Sequence, residues 1–348
     1  MPEQADRPRS GGGGRRLAAG AALAPALVLG AALPAAAEEP AAPAVVTQCQ
    51  LTDPRLPELS GLVVVGEHML AINDGGDELA VHVLDAACQV VDVRTAPVDP
   101  YDPEDLAVAP DGTVWLADTG DNTAIRDTVA LVALRPDGGT DLYRLAYPDG
   151  AHDAEALLLA PDGTPYLVTK EVLGASTVYR PVSDLVADGT VGLTEVATVN
   201  LTLTGTPGGP VGRAGQLMVT GGAVSADGRL LALRTYTDAY VWPLSGSDVA
   251  TALAAEPARI ALPEAPQGEA ISFAEDGRGL VVAGEGLPGD VAAVPLAATL
   301  TPAASTEPDA DAAPPAAERG AGPVPAAVVA AGVAAVLVWL GGRLRRRS

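Results

Sequence analysis

A nine-residue pattern that recurs along the chain constrains its fold more than any other sequence feature. Four copies align without gaps, and each contains a short apolar run and an Asp-Gly pair, with a second apolar run after it. With a looser fifth copy, they begin at Ser60, Glu104, Glu155, Thr220 and Glu269. Asp-Gly between two apolar runs is the strongest short-range signal for a β-hairpin. Each copy therefore predicts two antiparallel strands joined by a tight turn.

The spacing of the copies predicts how these hairpins are arranged. Successive copies begin 44, 51, 65 and 49 residues apart, and about 40 to 50 residues is the size of a four-stranded propeller blade. We therefore expect an all-β propeller of five blades, with residues 204–215 as an insertion in the longest interval. A sixth blade in that interval is the alternative. The strand-like run 45–51 precedes the first copy, and we expect it to complete the fifth blade.

The first position of each copy would lie on the innermost strand of its blade and face the central channel. Three of these positions are the carboxylates Glu104, Glu155 and Glu269. Carboxylates that meet near one axis repel each other unless a cation or protons lie between them. Hard cations such as calcium prefer oxygen ligands, so we predict that these three residues bind calcium. Strand capping, or pairing with arginine, is the alternative role.

A second group of polar residues follows the second apolar run of each copy. It comprises Asp74, Asp118, Lys170, Arg234 and Glu285. Asp74 and Asp118 both lie 14 residues after the first position of their own copy, and both begin an Asp-x-Gly-Asp sequence. The group predicts a polar mouth at one end of the channel. The alternative is turn chemistry, because Asp and Gly favour turns in any context.

The two ends of the chain predict export and membrane anchoring. Arg15 and Arg16 precede an apolar run over 17–33 that ends in small residues, which is typical of a signal peptide over 1–37; a retained membrane helix is the alternative. The apolar segment 323–342 is followed by four arginines within 343–348, which predicts a transmembrane helix with a cytoplasmic tail. Residues 301–322, rich in Pro, Ala and Asp, predict a disordered stalk. The propeller, 38–300, would then lie outside a cell membrane that the chain crosses once.

Charge and cysteine content narrow the possible partners and environment. The net charge of −23 disfavours binding to nucleic acid, because the phosphate backbone would be repelled. Cys49 and Cys88 are the only two cysteines. In an exported chain they are expected to form one disulfide bond, and two buried free thiols are the alternative.

Several segments together resemble a known group of proteins. The segments PELSGL, DPEDLAVAPDGTVWLADTGDN, HDAEALLLAPDGTPYLVTKE, VTGGAVSADGRLLALRTYTDAYVW and QGEAISFAEDG are similar to exported bacterial propellers. These are the phytase-like and SdiA-regulated-like group of the NHL-like propeller superfamily. The resemblance covers about Glu58 to Glu285 and implies that Glu104, Glu155 and Glu269 are metal ligands. It implies a second candidate cluster at Asp118, Asp121 and Asn122.

The sequence departs from phytases in the residues that would hold phosphate. Phytases surround calcium with several basic side chains, whereas the candidates here are Arg126, Lys170 and Arg234. The resemblance therefore implies calcium binding more strongly than phosphatase activity.

Three functions follow as hypotheses. The first is a non-catalytic calcium-binding propeller on the cell surface that binds a surface protein or a small molecule. The alternative is a calcium-dependent hydrolase of a phosphoester or lactone, in which Arg126, Lys170 and Arg234 stabilise negative charge as candidate catalytic residues. The third is a rigid scaffold that captures another surface protein through loop tips, including 204–215.

Overall fold

The computed structural model describes residues 44–300 of the chain. The predicted signal peptide, stalk, transmembrane helix and basic tail lie outside these residues. Within the described part, none of the helices has the length and apolar character needed to cross a bilayer.

The described chain is built almost entirely from β-strands. A 3₁₀ helix at Gly212–Gln216 and the α-helix α1 at Val249–Leu253 are its two short helical segments. The strands are β1 Val46–Leu51, β2 Leu59–Val65, β3 His68–Asn73, β4 Leu79–Leu84, β5 Val90–Ala96, β6 Pro103–Val108, β7 Val114–Asp118, β8 Val129–Leu134, β9 Thr140–Ala146, β10 Ala154–Leu159, β11 Pro165–Thr169, β12 Ala175–Pro181, β13 Thr190–Asn200, β14 Val219–Val224, β15 Leu230–Thr235, β16 Asp238–Pro243, β17 Ala258–Ala261, β18 Gly268–Phe273, β19 Gly279–Gly284 and β20 Gly289–Pro295.

The strands form five antiparallel units of four. Four units follow the chain order, β2 to β5, β6 to β9, β10 to β13 and β14 to β17, and the second and third are joined where β13 pairs in parallel with β9. The fifth unit contains β18, β19 and β20, with β1 as its outer strand. The predicted completion of this unit by the N-terminal strand is confirmed, because Val46 pairs with Ala293 and Leu51 pairs with Gly289.

The predicted hairpins join the first two strands of the last four units. Gly112 and Gly163 have φ values of 84° in these turns, a conformation that glycine adopts without the steric cost of a Cβ. The longest interval between copies contains the eleven-residue strand β13 and the segment 201–218, and the described residues form no additional sheet there. We call the segment 201–218 the insertion.

The five units close into a ring. Their first strands, β2, β6, β10, β14 and β18, pack against one another in cyclic order, and β18 returns to β2. Five apolar clusters fill the spaces between neighbouring units, one cluster for each space. Both faces of a unit are therefore buried, which explains why strands such as β8 and β10 are buried at every position. The result is an all-β, propeller-like fold.

The disulfide bond and the ends of the described chain lie at the ring closure. Cys49 in β1 is bonded to Cys88 in the turn between β4 and β5, so the predicted disulfide is present and links the fifth unit to the first. Val46 lies beside Ala293 near the end of β20. Because β20 runs away from the face at which the first strands begin, both ends of the described chain lie on the opposite face.

Candidate functional site

A β-bulge interrupts the first strand of every unit at the same place. The pairing register shifts around Ser60, Glu104, Glu155, Thr220 and Glu269, the five positions at which the sequence copies begin. A bulge re-aims the side chain of the extra residue. All five side chains are buried, at the end of the channel where the first strands begin. We call this end the acidic mouth.

The two hydroxyl-bearing positions tie neighbouring first strands together. Ser60 Oγ donates to the backbone oxygen of Glu104 at 2.6 Å and lies 3.1 Å from Glu104 Oε2. Thr220 Oγ1 donates to the backbone oxygen of Gly268 at 2.9 Å. These bonds hold adjacent units in register at the mouth.

Lys170 supplies a positive charge to one side of the acidic mouth. Its Nζ lies 2.5 Å from Glu155 Oε1. Burial disfavours the charge on Lys170, but the carboxylates of Glu155 and Glu269 outweigh this effect and raise the pKa of the ammonium group. Burial raises the pKa of Glu269 to about 8, although Lys170 and Arg234 oppose the shift. Glu269 Oε2 is buried without a hydrogen-bond partner among the described residues.

The other side of the acidic mouth contains two overlapping groups of carboxylates, and Glu155 is their one member that forms a salt bridge with Lys170 among the described residues. Asp74, Asp102 and Glu104 bring one oxygen each within 4.8 Å of one another, and so do Glu104, Asp153 and Glu155. Burial raises the pKa of Glu104 well above its usual value, and the charge of Glu155 adds to the shift. Burial and a hydrogen bond to Asp74 raise the pKa of Asp102 to about 7. Carboxylates held this close require protons or a cation between them.

Gly120 forms a cradle beside these carboxylates. A Cβ at this position would lie 2.5 Å from Asp102 Cγ and 2.6 Å from Asp102 Oδ2, and it would also overlap Glu104 Oε1. The backbone N–H of Gly120 donates to the backbone oxygen of Asp102 at 3.0 Å. The glycine therefore leaves room at the point where a cation would sit, and the oxygen-only donor set suits a hard divalent cation.

Asp118 of the second predicted metal cluster positions the backbone that carries Asp102. Its oxygens accept the backbone N–H groups of Tyr101 at 3.1 Å and Asp102 at 2.9 Å. Arg126 Nη2 lies 3.1 Å from Asp118 Oδ1. Asp118 thus belongs to neither acidic group. Its carboxylate oxygens contact backbone N–H groups and the guanidinium of Arg126.

Asp121 and Asn122 complete the same loop. Asp121 Oδ2 accepts the backbone N–H groups of Ile125 at 2.8 Å and Arg126 at 2.7 Å, and its own N–H donates to Asp153 Oδ1 at 2.9 Å. Asn122 is exposed. The structure therefore brings Glu104 and Glu155 together, while Asp118, Asp121 and Asn122 surround the site from one loop.

Arg126 and Arg234, the other two candidate catalytic residues, lie in different surroundings. Arg126 is at the rim, where its guanidinium lies 4.4 Å from the centre of the Tyr101 ring. Arg234 is only 2% exposed and donates to the backbone oxygens of Ala270 at 2.6 Å and Ala283 at 2.9 Å. Burial lowers its pKa to about 10. Arg234 thus joins the fourth and fifth units behind Glu269.

Asp102 and Asp153 were not among the residues predicted to bind metal. Each lies two positions before the first residue of its sequence copy, as do Glu58 and Gln267 in two other copies. A longer alignment of the copies would have shown this second polar position.

Asp105 was also missed, and it lies on the channel axis beneath the acidic mouth. Its carboxylate accepts backbone N–H groups from Leu106 at 2.8 Å, Leu157 at 2.8 Å and Gly222 at 3.1 Å. Burial raises its pKa to about 8, against the opposing effect of these three donors. The equivalent positions in the other copies are Gly or Ala, which leaves space for one larger side chain.

The opposite end of the channel is apolar. A cavity of about 230 Å³ lies there, lined by the far ends of the first strands and including Val63, Leu106, Val224 and Phe273. The charged groups are therefore concentrated at one end of the ring.

Comparison with solved structures finds proteins of low sequence identity to this chain. No family model matches the chain, and no curated protein matches it either. Similar solved structures include a gluconolactonase from Xanthomonas campestris, with 19% identity, 69% of this chain and 72% of that chain covered, and a TM-score of 0.41. Another is the PQQ-bound aldose sugar dehydrogenase from Streptomyces coelicolor, with 11% identity, coverage of 72% and 98%, and a TM-score of 0.39. A third is a catalytically inactive virginiamycin B lyase from Staphylococcus aureus, with 10% identity, coverage of 73% and 100%, and a TM-score of 0.40.

The ring of four-stranded units defines the class of protein. It is an all-β protein with a propeller-like ring of strands and an acidic site at one end of the channel. The narrower resemblance to the phytase-like and SdiA-regulated-like group stays a prediction.

Proposed function

We propose that the protein is a five-bladed propeller that binds a divalent cation, calcium by preference, in the acidic mouth and hydrolyses an uncharged ester or lactone there. One observation carries the proposal. Asp74, Asp102 and Glu104 converge beside the Gly120 cradle, and none of them forms a salt bridge within residues 44–300.

The position of Lys170 supports one of the two acidic groups as the cation site. Glu155 already forms a salt bridge with Lys170, whose Nζ lies 2.5 Å from Glu155 Oε1. The group of Asp74, Asp102 and Glu104 has no such partner, so it is the cation site that we propose. The proposed ligands therefore lie on one side of the channel. Of the residues that the sequence predicts, Glu104, Glu155 and Glu269, they include Glu104 alone.

The surroundings of this group favour a site that is open to a ligand. Asp74 and Asp102 are half-buried, whereas Glu104 is buried beneath them. Calcium takes six to eight oxygen ligands, so three carboxylates leave positions for water or a substrate. A cation held there would polarise an ester carbonyl and lower the pKa of bound water.

The side chains around the cation site supply the other functions that hydrolysis requires. Lys170 holds a positive charge that would stabilise negative charge as it develops on a substrate oxygen. Asp153 is half-buried and accepts the N–H of Asp121 through Oδ1. Burial raises the pKa of Asp153, which suits a general base that accepts a proton from water.

The charge of the mouth favours an uncharged substrate over a phosphoester. Lys170 pairs with glutamate, Arg126 pairs with Asp118, and Arg234 is buried against backbone oxygens. Each of these basic side chains already has a partner among the described residues, so a phosphate that arrives fully charged would meet an excess of carboxylates, which would repel it.

Calcium-dependent binding without catalysis is the second candidate function. Large apolar side chains are exposed in loops on the side of the ring that carries the mouth; Tyr101 is 57% exposed, Ile125 69% and Leu173 85%. Such side chains suit contact with a surface protein or the apolar part of a small molecule. Anchoring outside a cell membrane by the segment 323–342 remains part of this proposal.

The deciding experiment is a hydrolysis assay on the full chain. Neutral esters and lactones are incubated with calcium, magnesium, manganese or zinc, and with a chelator. We expect turnover that needs the cation and that Glu104→Gln abolishes, while the control Asp92→Asn, whose side chain is 63% exposed, keeps the wild-type rate. Calcium-dependent melting without turnover would support the binding function instead. Absence of both effects would contradict the two functions together.

A further inference from the structure

The insertion packs directly against Tyr236. A Cβ on Gly209 would lie 2.8 Å from Tyr236 Cβ, and a Cβ on Gly215 would lie 3.2 Å from Tyr236 Cδ2. Gly209 also has a φ of +75°, where side chains other than hydrogen are strained. The two glycines therefore let the backbone of the insertion approach this side chain closely.

The insertion has a defined shape because Gln216 closes it. Gln216 Oε1 accepts the backbone N–H groups of Thr204 at 2.9 Å and Gly205 at 3.0 Å. Its Nε2 donates to the backbone oxygen of Thr206 at 3.0 Å. One amide thus fixes three consecutive residues at the start of the insertion.

The insertion is also attached to the fourth unit through Asp238. The hydroxyl groups of Thr204 and Thr206 donate to the two oxygens of Asp238, each at 2.8 Å. Arg259 Nη1 lies 2.6 Å from Asp238 Oδ1. Since Asp238 is fully buried, these bonds hold the insertion firmly against the strand that follows Tyr236.

Tyr236 in turn lies next to the ammonium of Lys170. Tyr236 is 4% exposed, and Lys170 Nζ lies 5.4 Å from the centre of its ring. An ammonium at this distance from an aromatic ring is attracted by the ring quadrupole. Lys170 is thus held by Glu155 and by the ring of Tyr236, which the insertion contacts.

We propose that Tyr236 is a positioning residue for Lys170, and that the insertion fixes the position of Tyr236. The contacts run from Gln216 and Asp238, through the two glycines, to the aromatic ring and the ammonium. The insertion is then part of the acidic mouth, because it helps to fix the position of the Lys170 ammonium. The catalytic consequence rests on the proposed function, because a displaced Lys170 would stabilise the developing charge less well.

The chemical reactivity of Lys170 tests the contact without any assay of activity. Lys170 is the only lysine in the chain, so reductive methylation with formaldehyde can be followed at one side chain by peptide mass spectrometry. We expect Tyr236→Leu to accelerate methylation roughly tenfold, the factor that corresponds to losing a cation–π contact of about 1.4 kcal/mol. Tyr236→Phe keeps the ring but removes the hydroxyl, which also interacts with Lys170, so it should accelerate methylation less than Tyr236→Leu does.

Variants in the insertion test the second half of the proposal. Gly215→Val and Gln216→Ala should both accelerate methylation of Lys170, because each disturbs the support of the ring. Val211→Ala is the matched control in the same segment, since Val211 is 48% exposed, and it should have no effect. Gln216→Ala leaves the ring itself intact, so it keeps the test valid if Tyr236→Leu does not fold.

The outcomes separate this proposal from the proposed function. Unchanged methylation in folded Tyr236→Leu, or in Gly215→Val and Gln216→Ala, would overturn the positioning role even if the protein is a hydrolase. Faster methylation without turnover in any form would support the positioning role and contradict hydrolysis. If esters are hydrolysed, Tyr236→Leu should lower kcat with little change in KM, whereas a wild-type kcat would contradict the role of Lys170.

Discussion

The carboxylate of Asp105 accepts a hydrogen bond from the backbone N–H of Gly222 at 3.1 Å, and so connects the second unit to the fourth across the channel. The same oxygen accepts the N–H of Leu157 from the third unit at 2.8 Å. The side chain of Asp105, which is in β6, thereby links its own strand to β10 and β14 at the axis of the ring. The side chain of Asp105 therefore lies between the acidic mouth and the apolar end of the channel.

Asp105→Asn should destabilise the ring. An amide replaces one acceptor oxygen by an NH₂ group, which then faces a backbone donor in a buried place. A buried donor left without an acceptor costs about 1 to 3 kcal/mol, so we expect the free energy of unfolding to fall by roughly 2 kcal/mol. Denaturant titration measures this change, and the exposed Asp92→Asn is the control; equal stability of the two variants would contradict the role of Asp105.

Gly120→Ala should weaken cation binding at modest cost to the fold. The added methyl group would lie 2.5 Å from Asp102 Cγ, in the space that the cation requires. We expect the Kd for calcium, measured by isothermal titration calorimetry, to rise more than about tenfold, equivalent to ~1.4 kcal/mol. Gly192→Ala is the control, because its Cβ would meet nothing nearer than Val182 at 3.8 Å.

The two sides of the acidic mouth should respond differently to the loss of a carboxylate. Glu104→Gln removes a proposed ligand and should weaken calcium binding by about tenfold or more, or ~1.4 kcal/mol. Glu269 belongs to neither converging group of carboxylates, so the calcium Kd of Glu269→Gln should stay close to the wild-type value. The reverse result, with Glu269→Gln the weaker binder, would place the cation on the Lys170 side as the sequence alone suggested.

Stability should decline in mild acid because of His82. His82 is buried, its Nδ1 has no hydrogen-bond partner among the described residues, and burial lowers its pKa. Protonation therefore favours the unfolded chain, whose histidine has a pKa of about 6.5. The stability that neutral His82 contributes is present above that pH and is lost as the pH falls below it.

The comparison of His82→Gln with His68→Gln isolates this effect. His68 is exposed, so its replacement should leave the decrease in melting temperature between pH 7.5 and 5.5 unchanged. His82→Gln should make that decrease smaller. Identical pH profiles for the two variants would show that other groups cause the acid sensitivity.

Loss of the disulfide bond should loosen the ring at its closure. Cys49 and Cys88 are 39 residues apart in sequence, and a cross-link of this length stabilises by roughly 2 to 4 kcal/mol. The double variant Cys49→Ser, Cys88→Ser should melt at a lower temperature than the oxidised wild type. Reductant should lower the melting temperature of the wild type and leave that of the double variant unchanged.

The sequence predicts the parts of this fold that depend on local chemistry. Asp-Gly turns between apolar runs determine hairpins within a few residues, and their period determines the size of a unit. The role of β1 as an outer strand follows from the number of strands per unit, because the last sequence copy is followed by too few strands to complete a unit of four. The positions of Glu104 and Glu155 near one another follow from the same repetition.

The remaining features depend on contacts between units, which a local pattern does not contain. Lys170 directly follows β11, pairs with Glu155 and also acts electrostatically on Glu269 of another unit. The division of the mouth into two sides was therefore not predictable from the sequence. The cradle at Gly120 depends on its approach to Asp102 and Glu104. Asp105 reaches the axis only because its counterparts in the other copies are Gly or Ala.

The adjacent ends of the described chain have a consequence for how the protein can be attached. Val46 and Ala293 are paired neighbours at the base of the ring, and the acidic mouth is at the other end. A support coupled to the chain beside Val46 or Ala293 would therefore hold the base and leave the mouth facing solution. Immobilised on a sensor surface in this way, the protein would present every copy of its site in the same orientation to a ligand arriving from bulk solvent.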